Sequence, residues 1–270
     1  MKVLTLNFRE YLTHIPDISH LPNLEKFSFK YCCNLITIHN SIGYLNKLEL
    51  LNAYGCRKLK SFPPLRLTSL KELELSGCES LNSFPELLGK MTNIEHIWLC
   101  GTSIRELPFS FQNLSELRDL TLSEPDVNKK IMVRLSSNIF MMPNLSKIFA
   151  EDCRLLLPKH KDILSSTVAS NVEDVILINN NLSNECVQVV LTLCANVKYL
   201  NLSNNSIKIL PECLNECHLL RALILDGCKS LKEIRGIPPN LEWFSAMRCE
   251  SLTSSCRRML LSQVCCFFLH

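Results

Sequence analysis

The sequence has none of the short motifs that mark the commonest catalytic and nucleotide-binding sites. GxxxxGK(S/T), GxGxxG, HExxH and GxSxG are all absent from its 270 residues. Their absence excludes the phosphate loops, zinc-protease helices and nucleophile elbows that those motifs build. The seven histidines lie at unrelated positions of the repeat described below. We therefore expect neither enzymatic activity nor a bound cofactor.

The chain also lacks a strong excess of charge of one sign. Lys and Arg total 29 against 26 Asp and Glu, which gives a formal net charge of +3. The basic residues are scattered and do not form a stripe with interleaved aromatic residues, so we expect no nucleic-acid partner. The sequence starts without the apolar run of a secretory signal, and no apolar run approaches the roughly 20 residues that cross a bilayer. We expect no membrane insertion.

What the sequence does contain is a phrase that returns at a nearly regular interval, as in Leu70-x-x-Leu73-x-Leu75-x-x-Cys78-x-x-Leu81. The first apolar residue of each unit serves as its anchor, and later positions are counted from it. The spacing between successive anchors runs from 21 to 28 residues. The anchors are Met1, Leu24, Leu48, Leu70, Ile94, Leu117, Leu145, Val172, Val197, Leu220 and Leu241. A period of this size is typical of a leucine-rich repeat solenoid.

The repeat predicts an α/β leucine-rich repeat solenoid of about 11 repeats over residues 1–256. Apolar residues at the anchor, +3 and +5 predict short strands, which stack into a curved, concave parallel sheet. Prolines after the strands predict a convex side that is mostly irregular with short helical turns. The two longest spacings predict irregular or inserted structure at about 124–171. Residues 257–270 form a short apolar tail, for which a palmitoylated anchor, an end cap and truncation are alternatives, with truncation favoured.

The cysteines follow the repeat, although fifteen of them would suggest a disulfide framework in a small secreted protein. No CxxC pair occurs, so a zinc site is not expected. We expect position +8 to turn inward as a structural position, where Asn bonds the backbone and Cys acts as a small hydrophobe. Position +8 is held by Cys32, Cys56, Cys78, Cys153, Asn180, Asn205, Cys228 and Cys249. Unpaired cysteines favour a cytoplasmic location, with the nucleus as the alternative.

Positions +2, +4 and +6 alternate with the buried ones and are predicted to line the concave surface. Large apolar and aromatic side chains there indicate contact with another protein. The first candidate patch consists of Tyr54, Glu72, Glu74, His96 and Trp98. The second consists of Ile176, Ile178 and Tyr199. The alternative is that an inserted segment or a neighbouring domain covers these side chains.

Two stretches of the sequence carry a resemblance to a known family. The phrase from Leu70 to Leu81 is similar to the repeat of plant intracellular immune receptors. Glu233-Ile-Arg-Gly-Ile-Pro-Pro-Asn-Leu241, followed by Ala246, Cys249 and Leu252, resembles the closing repeat of TIR-NB-LRR disease resistance proteins, including TMV resistance protein N-like members in legumes. The resemblance covers nearly the whole chain.

The resemblance implies that this sequence is the leucine-rich repeat region of such a receptor. In the family this region recognises a pathogen effector, directly or through a guarded host protein, and contacts the nucleotide-binding domain to help keep the receptor closed. The NAD-cleaving TIR domain and the ADP- or ATP-binding domain are not found in this sequence, so those nucleotides would belong elsewhere in a longer receptor. We expect a fragment or truncated product. The alternative is a stand-alone repeat protein that acts as a scaffold, decoy or regulator of a host protein.

Overall fold

The structure is a computed structural model that describes residues 1–124, 132–158, 170–263 and 267–268. Two compact units make up the chain. Unit 1 comprises Met1–Arg134 and Met142–Asn144, and unit 2 comprises Leu135–Met141 and Leu145–His270. Each unit is a stack of parallel strands.

The described residues of unit 1 form nine strands and two 3-10 helices. The strands are β1 (Val3–Thr5), β2 (His14–Ile15), β3 (Lys26–Ser28), β4 (Thr37–Ile38), β5 (Leu50–Asn52), β6 (Glu72–Glu74), β7 (His96–Trp98), β8 (Asp119–Ser123) and β9 (Met132–Arg134). The 3-10 helices are Asn40–Tyr44 and Phe109–Asn113. The main sheet has the order β1-β3-β5-β6-β7-β8, and every pair in it is parallel. On the return side β2 pairs with β4, also in parallel.

The described residues of unit 2 also form nine strands, with one 3-10 helix and three α-helices. The strands are β10 (Lys147–Glu151), β11 (Arg154–Leu156), β12 (Asp174–Ile178), β13 (Tyr199–Asn201), β14 (Ile209–Leu210), β15 (Ala222–Ile224), β16 (Glu233–Ile234), β17 (Trp243–Ser245) and β18 (Phe267–Phe268). The helices are Ser137–Phe140, Asn184–Leu193, Ser254–Gln263 and the 3-10 helix Glu212–Glu216. Its parallel sheet has the order β10-β12-β13-β15-β17-β18.

The predicted leucine-rich repeat fold is confirmed, and its register is matched residue by residue. A strand of the main sheet starts two residues after each of the eleven anchors. Nine of the eleven anchors are buried, and the other two are Met1, which is exposed, and Leu241, which is half-buried. Burying a leucine side chain is worth about 1.5–3 kcal/mol. Anchor leucines such as Leu70 and Leu117 therefore stabilise the stack each time the phrase recurs.

The longest α-helix with described side chains, Asn184–Leu193, differs from the expected short helical turns on the return side. The segment contains no proline, unlike the returns that hold Pro63 or Pro85. Its buried residues Val187, Val190 and Leu191 follow the i, i+3, i+4 spacing that places apolar side chains on one face of a helix. Apolar spacing and the absence of proline favour the helix, and added length does not explain it, because the Val172–Val197 spacing of 25 residues is only one more than the Leu70–Ile94 spacing of 24.

The segment predicted to be irregular at 124–171 contains regular elements where the structure describes it. They are β9, β10, β11 and the helix Ser137–Phe140. Strand β10 lies in the main sheet of unit 2 beside β12. The predicted insertion otherwise falls on residues 125–131 and 159–169, which lie outside the described residues, as do residues 264–266 and 269–270 of the tail.

After the strand the backbone turns inward at position +7, where most repeats adopt a left-handed conformation. Ten of the eleven repeats have a φ between 54° and 72° at this position. These residues are Phe8, Tyr31, Gly55, Gly77, Gly101, Asp152, Asn179, Asn204, Gly227 and Arg248. Glycine, asparagine and aspartate tolerate positive φ best, and they occupy seven of the ten positions. The turn sends the following side chain, at position +8, into the core.

Candidate functional site

The side chains at position +8 form a ladder of buried hydrogen bonds between repeats. In five cysteine repeats the thiol donates to the carbonyl oxygen of residue +5 in the preceding repeat, with Sγ to O distances of 3.1–3.2 Å. These thiols belong to Cys32, Cys56, Cys78, Cys228 and Cys249. Cys153 is also buried and donates to the carbonyl of Glu151 in its own repeat. The cysteines thus act as hydrogen-bond donors as well as small apolar groups.

Asn180 and Asn205 make the same inter-repeat contact with an amide. Asn180 donates to the carbonyl of Ala150, and Asn205 donates to the carbonyl of Leu177, at 2.8 and 2.7 Å. The Asn205 amide oxygen also accepts from the backbone N–H groups of Asn180 and Leu182, each at 3.0 Å. An asparagine at position +8 can therefore hydrogen-bond both the strand of the preceding repeat and the turn that follows that strand.

The buried thiols are suited to structure rather than to chemistry. Each of the thirteen cysteines in the described ranges is a thiol and not half of a disulfide. Burial raises the pKa of Cys78 and Cys249 to about 12 and that of Cys228 to about 11. A reactive cysteine needs a thiolate, and these thiols stay protonated at neutral pH. Within the described part of the chain, no three His, Cys, Asp or Glu side chains are grouped as metal ligands.

The strand face of unit 1 carries an open groove of about 800 Å³, here called the Trp98 groove. Its lining residues are Tyr54, Lys71, Glu72, Glu74, Ser76, Gly77, His96, Trp98 and Cys100. All five residues of the first predicted patch line it, because β5, β6 and β7 are adjacent and present alternate residues to the same face, with Tyr54 just after β5. Trp98, on the last of the three repeats that line this groove, keeps 38% of its surface exposed.

The position of the Trp98 ring depends on a neighbouring histidine. The imidazole of His96 stacks on the indole with ring centroids 5.6 Å apart and planes 24° apart. Nδ1 of His96 lies 2.7 Å from Oδ2 of Asp119 on β8. Because a carboxylate only accepts, His96 donates this hydrogen bond. Asp119 therefore holds the imidazole that supports the indole.

Tyr54 connects the groove to a row of aromatic rings at the ends of the first strands. The Tyr54 ring meets Tyr31 edge to face at 5.2 Å, and Tyr31 stacks on Phe8 at 5.1 Å. The Tyr31 phenol raises the pKa of Tyr54 above its ordinary value, through its charge and a hydrogen bond. Tyr54 is thus a neutral phenol at physiological pH, with an exposed edge on the groove.

Charges at position +1 form pairs across neighbouring repeats. In unit 1 the pairs are Lys2–Glu25, Glu49–Lys71 and Glu95–Arg118, with N to O distances of 2.8, 3.0 and 3.4 Å. In unit 2 the pairs are Glu173–Lys198 and Arg221–Glu242. Exposed pairs of this kind contribute little stability each, but they fix where the positive charges lie.

The two acidic residues of the Trp98 groove stand outside this pairing. Among the described residues, neither Glu72 nor Glu74 forms an ion pair. Oε1 of Glu74 accepts from the backbone N–H of Ser76 at 2.8 Å, which orients the carboxylate. Lys71, the basic residue of the groove lining, is engaged by Glu49. The groove therefore combines an aromatic floor with two carboxylates that have no cationic partner in the described structure.

The second predicted patch is less concentrated. Ile176 and Ile178 lie on the same face of β12, and both are half-buried. Tyr199 on β13 is level with Asp174, whereas Ile176 is level with Asn201. Tyr199 therefore lies two residues away from Ile176 along the strand direction. The three residues form an apolar stripe across two strands.

Sequence reasoning missed Asp119 as a member of the first site. The first patch was chosen around Tyr54, His96 and Trp98 and the acidic residues beside them, and Asp119, one repeat after His96, was not included. The signal was the register itself, since His96 and Asp119 occupy position +2 of consecutive repeats and are partners in the parallel ladder. The left-handed position +7 was also missed, although Gly55, Gly77 and Gly101 recur there.

Among the residues with a described conformation, no helix has the length and apolar character needed to cross a bilayer.

Comparison with known proteins places the chain among plant disease resistance proteins. The profile of "Disease resistance protein RPS4B-like, leucine-rich repeats" matches residues 66–254. TMV resistance protein N of Nicotiana glutinosa is 27% identical over 89% of this chain, which spans 25% of that protein. Disease resistance protein RPP2A of Arabidopsis thaliana is 42% identical over 45% of this chain, which spans 9% of that protein.

A solved structure supports the fold independently. The leucine-rich repeat domain of the type III effector XopL superposes with a TM-score of 0.59, at 21% identity, over 90% of this chain and 75% of that domain. This likeness concerns the fold alone. The profile match covers well over half of the chain, in the same register as the strands and the buried side chains at position +8. The chain therefore belongs to the leucine-rich repeat family of RPS4B-like plant disease resistance proteins.

Proposed function

We propose that this chain is the protein-recognition region of a plant intracellular innate immune receptor. It senses a pathogen effector, either directly or through a guarded host protein, and helps to keep the receptor inactive by contacting its nucleotide-binding domain. Family membership and the relatives named disease resistance proteins support this role. The chain spans about a quarter of the length of TMV resistance protein N, so the receptor role extends to a longer protein.

The observation that carries the proposal is the Trp98 groove. Aromatic side chains in a partly desolvated groove supply most of the binding energy at many protein interfaces. Trp98 lies on a regular strand face next to Glu74, and Tyr54 lines the opposite side of the groove, beyond the two acidic side chains. The stripe of Ile176, Ile178 and Tyr199 is a second proposed contact surface, on unit 2.

The proposal includes no catalytic group, metal or cofactor of its own. Nucleotide and NAD chemistry would belong to other domains of a complete receptor. The reduced, buried cysteines support a location in the cytoplasm or nucleus, where thiols are kept reduced.

Proximity labelling in leaves tests the proposal. The full chain, fused to a labelling enzyme, is expressed as wild type, as Trp98→Ala and as Phe109→Ala, in challenged and unchallenged tissue. Phe109 is a matched control because it is an exposed aromatic residue of unit 1 outside the groove, at 74% exposure. We expect the wild type and Phe109→Ala to label the same proteins and Trp98→Ala to lose them. Labelling only in challenged tissue identifies an effector, and labelling in both identifies a host protein.

Thermal unfolding separates a lost contact from a damaged fold. Trp98→Ala should shift the midpoint by no more than about 3 °C, the change that about 1 kcal/mol produces in a domain of this size. A much larger drop would make Trp98 a packing residue and would count against a recognition surface. Undiminished labelling by Trp98→Ala would overturn the role of this groove.

A further inference from the structure

We propose that the Trp98 groove recognises its protein partner through an exposed arginine side chain. The guanidinium lies over the indole of Trp98 and is bound by the carboxylates of Glu72 and Glu74. This inference rests on the proposed function and specifies the chemistry of the partner.

The charges in the groove favour a positively charged group on the partner. Glu72 and Glu74 form no ion pair among the described residues, whereas the charges at position +1 are engaged in pairs between repeats. The positive charge of Lys71 is directed to Glu49, and the negative charge of Asp119 is directed to His96. The net charge of the whole chain is +3, so a general attraction for cationic peptides is not expected. The groove lining contains two carboxylates and one lysine, so its formal charge is opposite in sign to that of the chain.

The register places the carboxylates and the indole at compatible distances. Glu74 and Trp98 are direct partners in the parallel ladder of β6 and β7, and neighbouring strands are about 4.8 Å apart. A cation within about 6 Å of the indole centroid gains a cation–π interaction. The same cation is then within reach of the Glu74 carboxylate. Glu72 lies two residues earlier on the same face and supplies a second carboxylate.

The supported ring favours arginine over lysine. A planar guanidinium stacks on an aromatic face and offers a fork of N–H donors to carboxylates, whereas an ammonium group is a compact, strongly hydrated charge. His96 is fixed by Asp119 at 2.7 Å and stacks on Trp98. The indole is thereby held in one orientation before any partner binds. The fixed indole of Trp98 and the oriented carboxylate of Glu74 therefore favour binding of a planar guanidinium.

An array of random-sequence peptides tests the inference. Each peptide is present in two forms, one with arginine and one with citrulline, which has nearly the same shape without the charge. The full chain is applied as wild type, Trp98→Ala and Glu72→Gln/Glu74→Gln. For the peptides that bind best, we expect the wild type to prefer arginine by about tenfold. Both variants should reduce this preference to about twofold or less.

A double variant elsewhere in unit 1 controls for net charge. Glu86→Gln/Glu106→Gln removes the same two charges from exposed residues outside the groove. This control should keep the arginine preference. If it loses as much as Glu72→Gln/Glu74→Gln, the attraction is non-specific and the inference is wrong. Equal binding of arginine and citrulline peptides by the wild type, or no binding of either, would also overturn it.

A measurement of stability keeps the test decisive. Thermal unfolding of each variant checks the fold, and if the double glutamine variant unfolds, Trp98→Ala alone decides the outcome. The failure of the inference is distinguishable from that of the proposed function. If proteins are recruited through Trp98 in leaves but the peptide array shows no arginine preference, the proposed function stands and the inference is refuted. If the array shows the arginine preference but Trp98→Ala labels the same proteins in leaves as the wild type, the inference stands and the proposed function of the groove is refuted.

Discussion

His96 and Asp119 are joined by a hydrogen bond of 2.7 Å between Nδ1 and Oδ2, across two adjacent parallel strands. The bond couples consecutive repeats through side chains on the solvent-facing side of the sheet. Its effect reaches a third residue, since the same imidazole stacks on Trp98. The orientation of the Trp98 ring is therefore supported by residues from two repeats.

Removing the carboxylate of Asp119 should loosen the Trp98 ring without unfolding the chain. In a Trp243→Phe background, Trp98 is the one remaining tryptophan of the two in the sequence. We expect Asp119→Ala to increase acrylamide quenching of Trp98 fluorescence and to change the free energy of unfolding by less than about 1 kcal/mol. Asp174→Ala, at the same repeat position in unit 2, is the control and should leave quenching unchanged. Equal quenching in Asp119→Ala and its parent would refute this support.

Asn205 should be among the most sensitive polar positions of the chain. Its amide donates to the carbonyls of Leu177 and Leu202 at 2.7 and 2.8 Å and accepts from two backbone N–H groups. We expect Asn205→Ala to lower the free energy of unfolding by about 3 kcal/mol, because buried groups lose their partners. Urea denaturation measures the change. Asn34→Ala, which removes exposed hydrogen bonds to Glu10 and Lys58, should cost below about 1 kcal/mol.

The left-handed position +7 gives a pair of substitutions with opposite signs. Gly227 has a φ of 68°, and a Cβ there would clash with Oδ1 of Asn204, so Gly227→Ala should destabilise by at least about 1–2 kcal/mol. Arg248 has a φ of 59° at the equivalent position, and Arg248→Gly should stabilise by about 0.5–1 kcal/mol. The midpoints of thermal unfolding provide the measurement.

A third glycine serves as the control for this pair. A Cβ on Gly89 would meet only Cγ of Arg66, at 3.9 Å, so Gly89→Ala should change stability by less than about 1 kcal/mol. A stabilising Gly227→Ala or a destabilising Arg248→Gly would contradict the strain that we assign to position +7.

Alkaline pH should destabilise the chain through its buried thiols. Burial raises the pKa of Cys78 to about 12 from an ordinary value of 9.0. Below about pH 9 the folded and unfolded chains both hold the proton, and the contribution to stability is fully present. Between about pH 9 and 12 the unfolded chain releases it first, so the free energy of unfolding falls by about 1.4 kcal/mol per pH unit for this thiol.

Comparison of two variants isolates that dependence. Cys78→Ala removes the thiol, so its free energy of unfolding should approach that of the wild type as the pH rises above about 9. Ile97→Val removes a buried methyl group at a cost of about 1 kcal/mol and should keep the wild-type pH dependence. Urea denaturation across the alkaline range measures both. Parallel curves for wild type and Cys78→Ala would show that this thiol titrates alike in the folded and unfolded chains.

The sequence alone was sufficient for the repeat register, because the register rests on local periodicity. A strand starts two residues after each of the eleven anchors, since every unit must bury its apolar side chains against the next. The same logic predicted the inward side chains at position +8, such as Cys56 and Asn205, and the outward face of Trp98. It did not predict the helix Asn184–Leu193, because the shared phrase covers the strand and the turn and carries no information about the conformation of the return segment.

Side-chain partnerships between repeats were decided only by the tertiary structure. The period shows that Glu72 and His96 are neighbours, but not that His96 bonds Asp119 while Glu72 stays without an ion pair among the described residues. Several partners lie within reach of each exposed side chain, and packing, rotamers and competing hydrogen bonds select one of them. Burial by contrast is set by the alternation of apolar residues, which the sequence displays directly. The chain thus encoded its fold in a repeated pattern, and its groove in contacts that form only once the repeats are stacked.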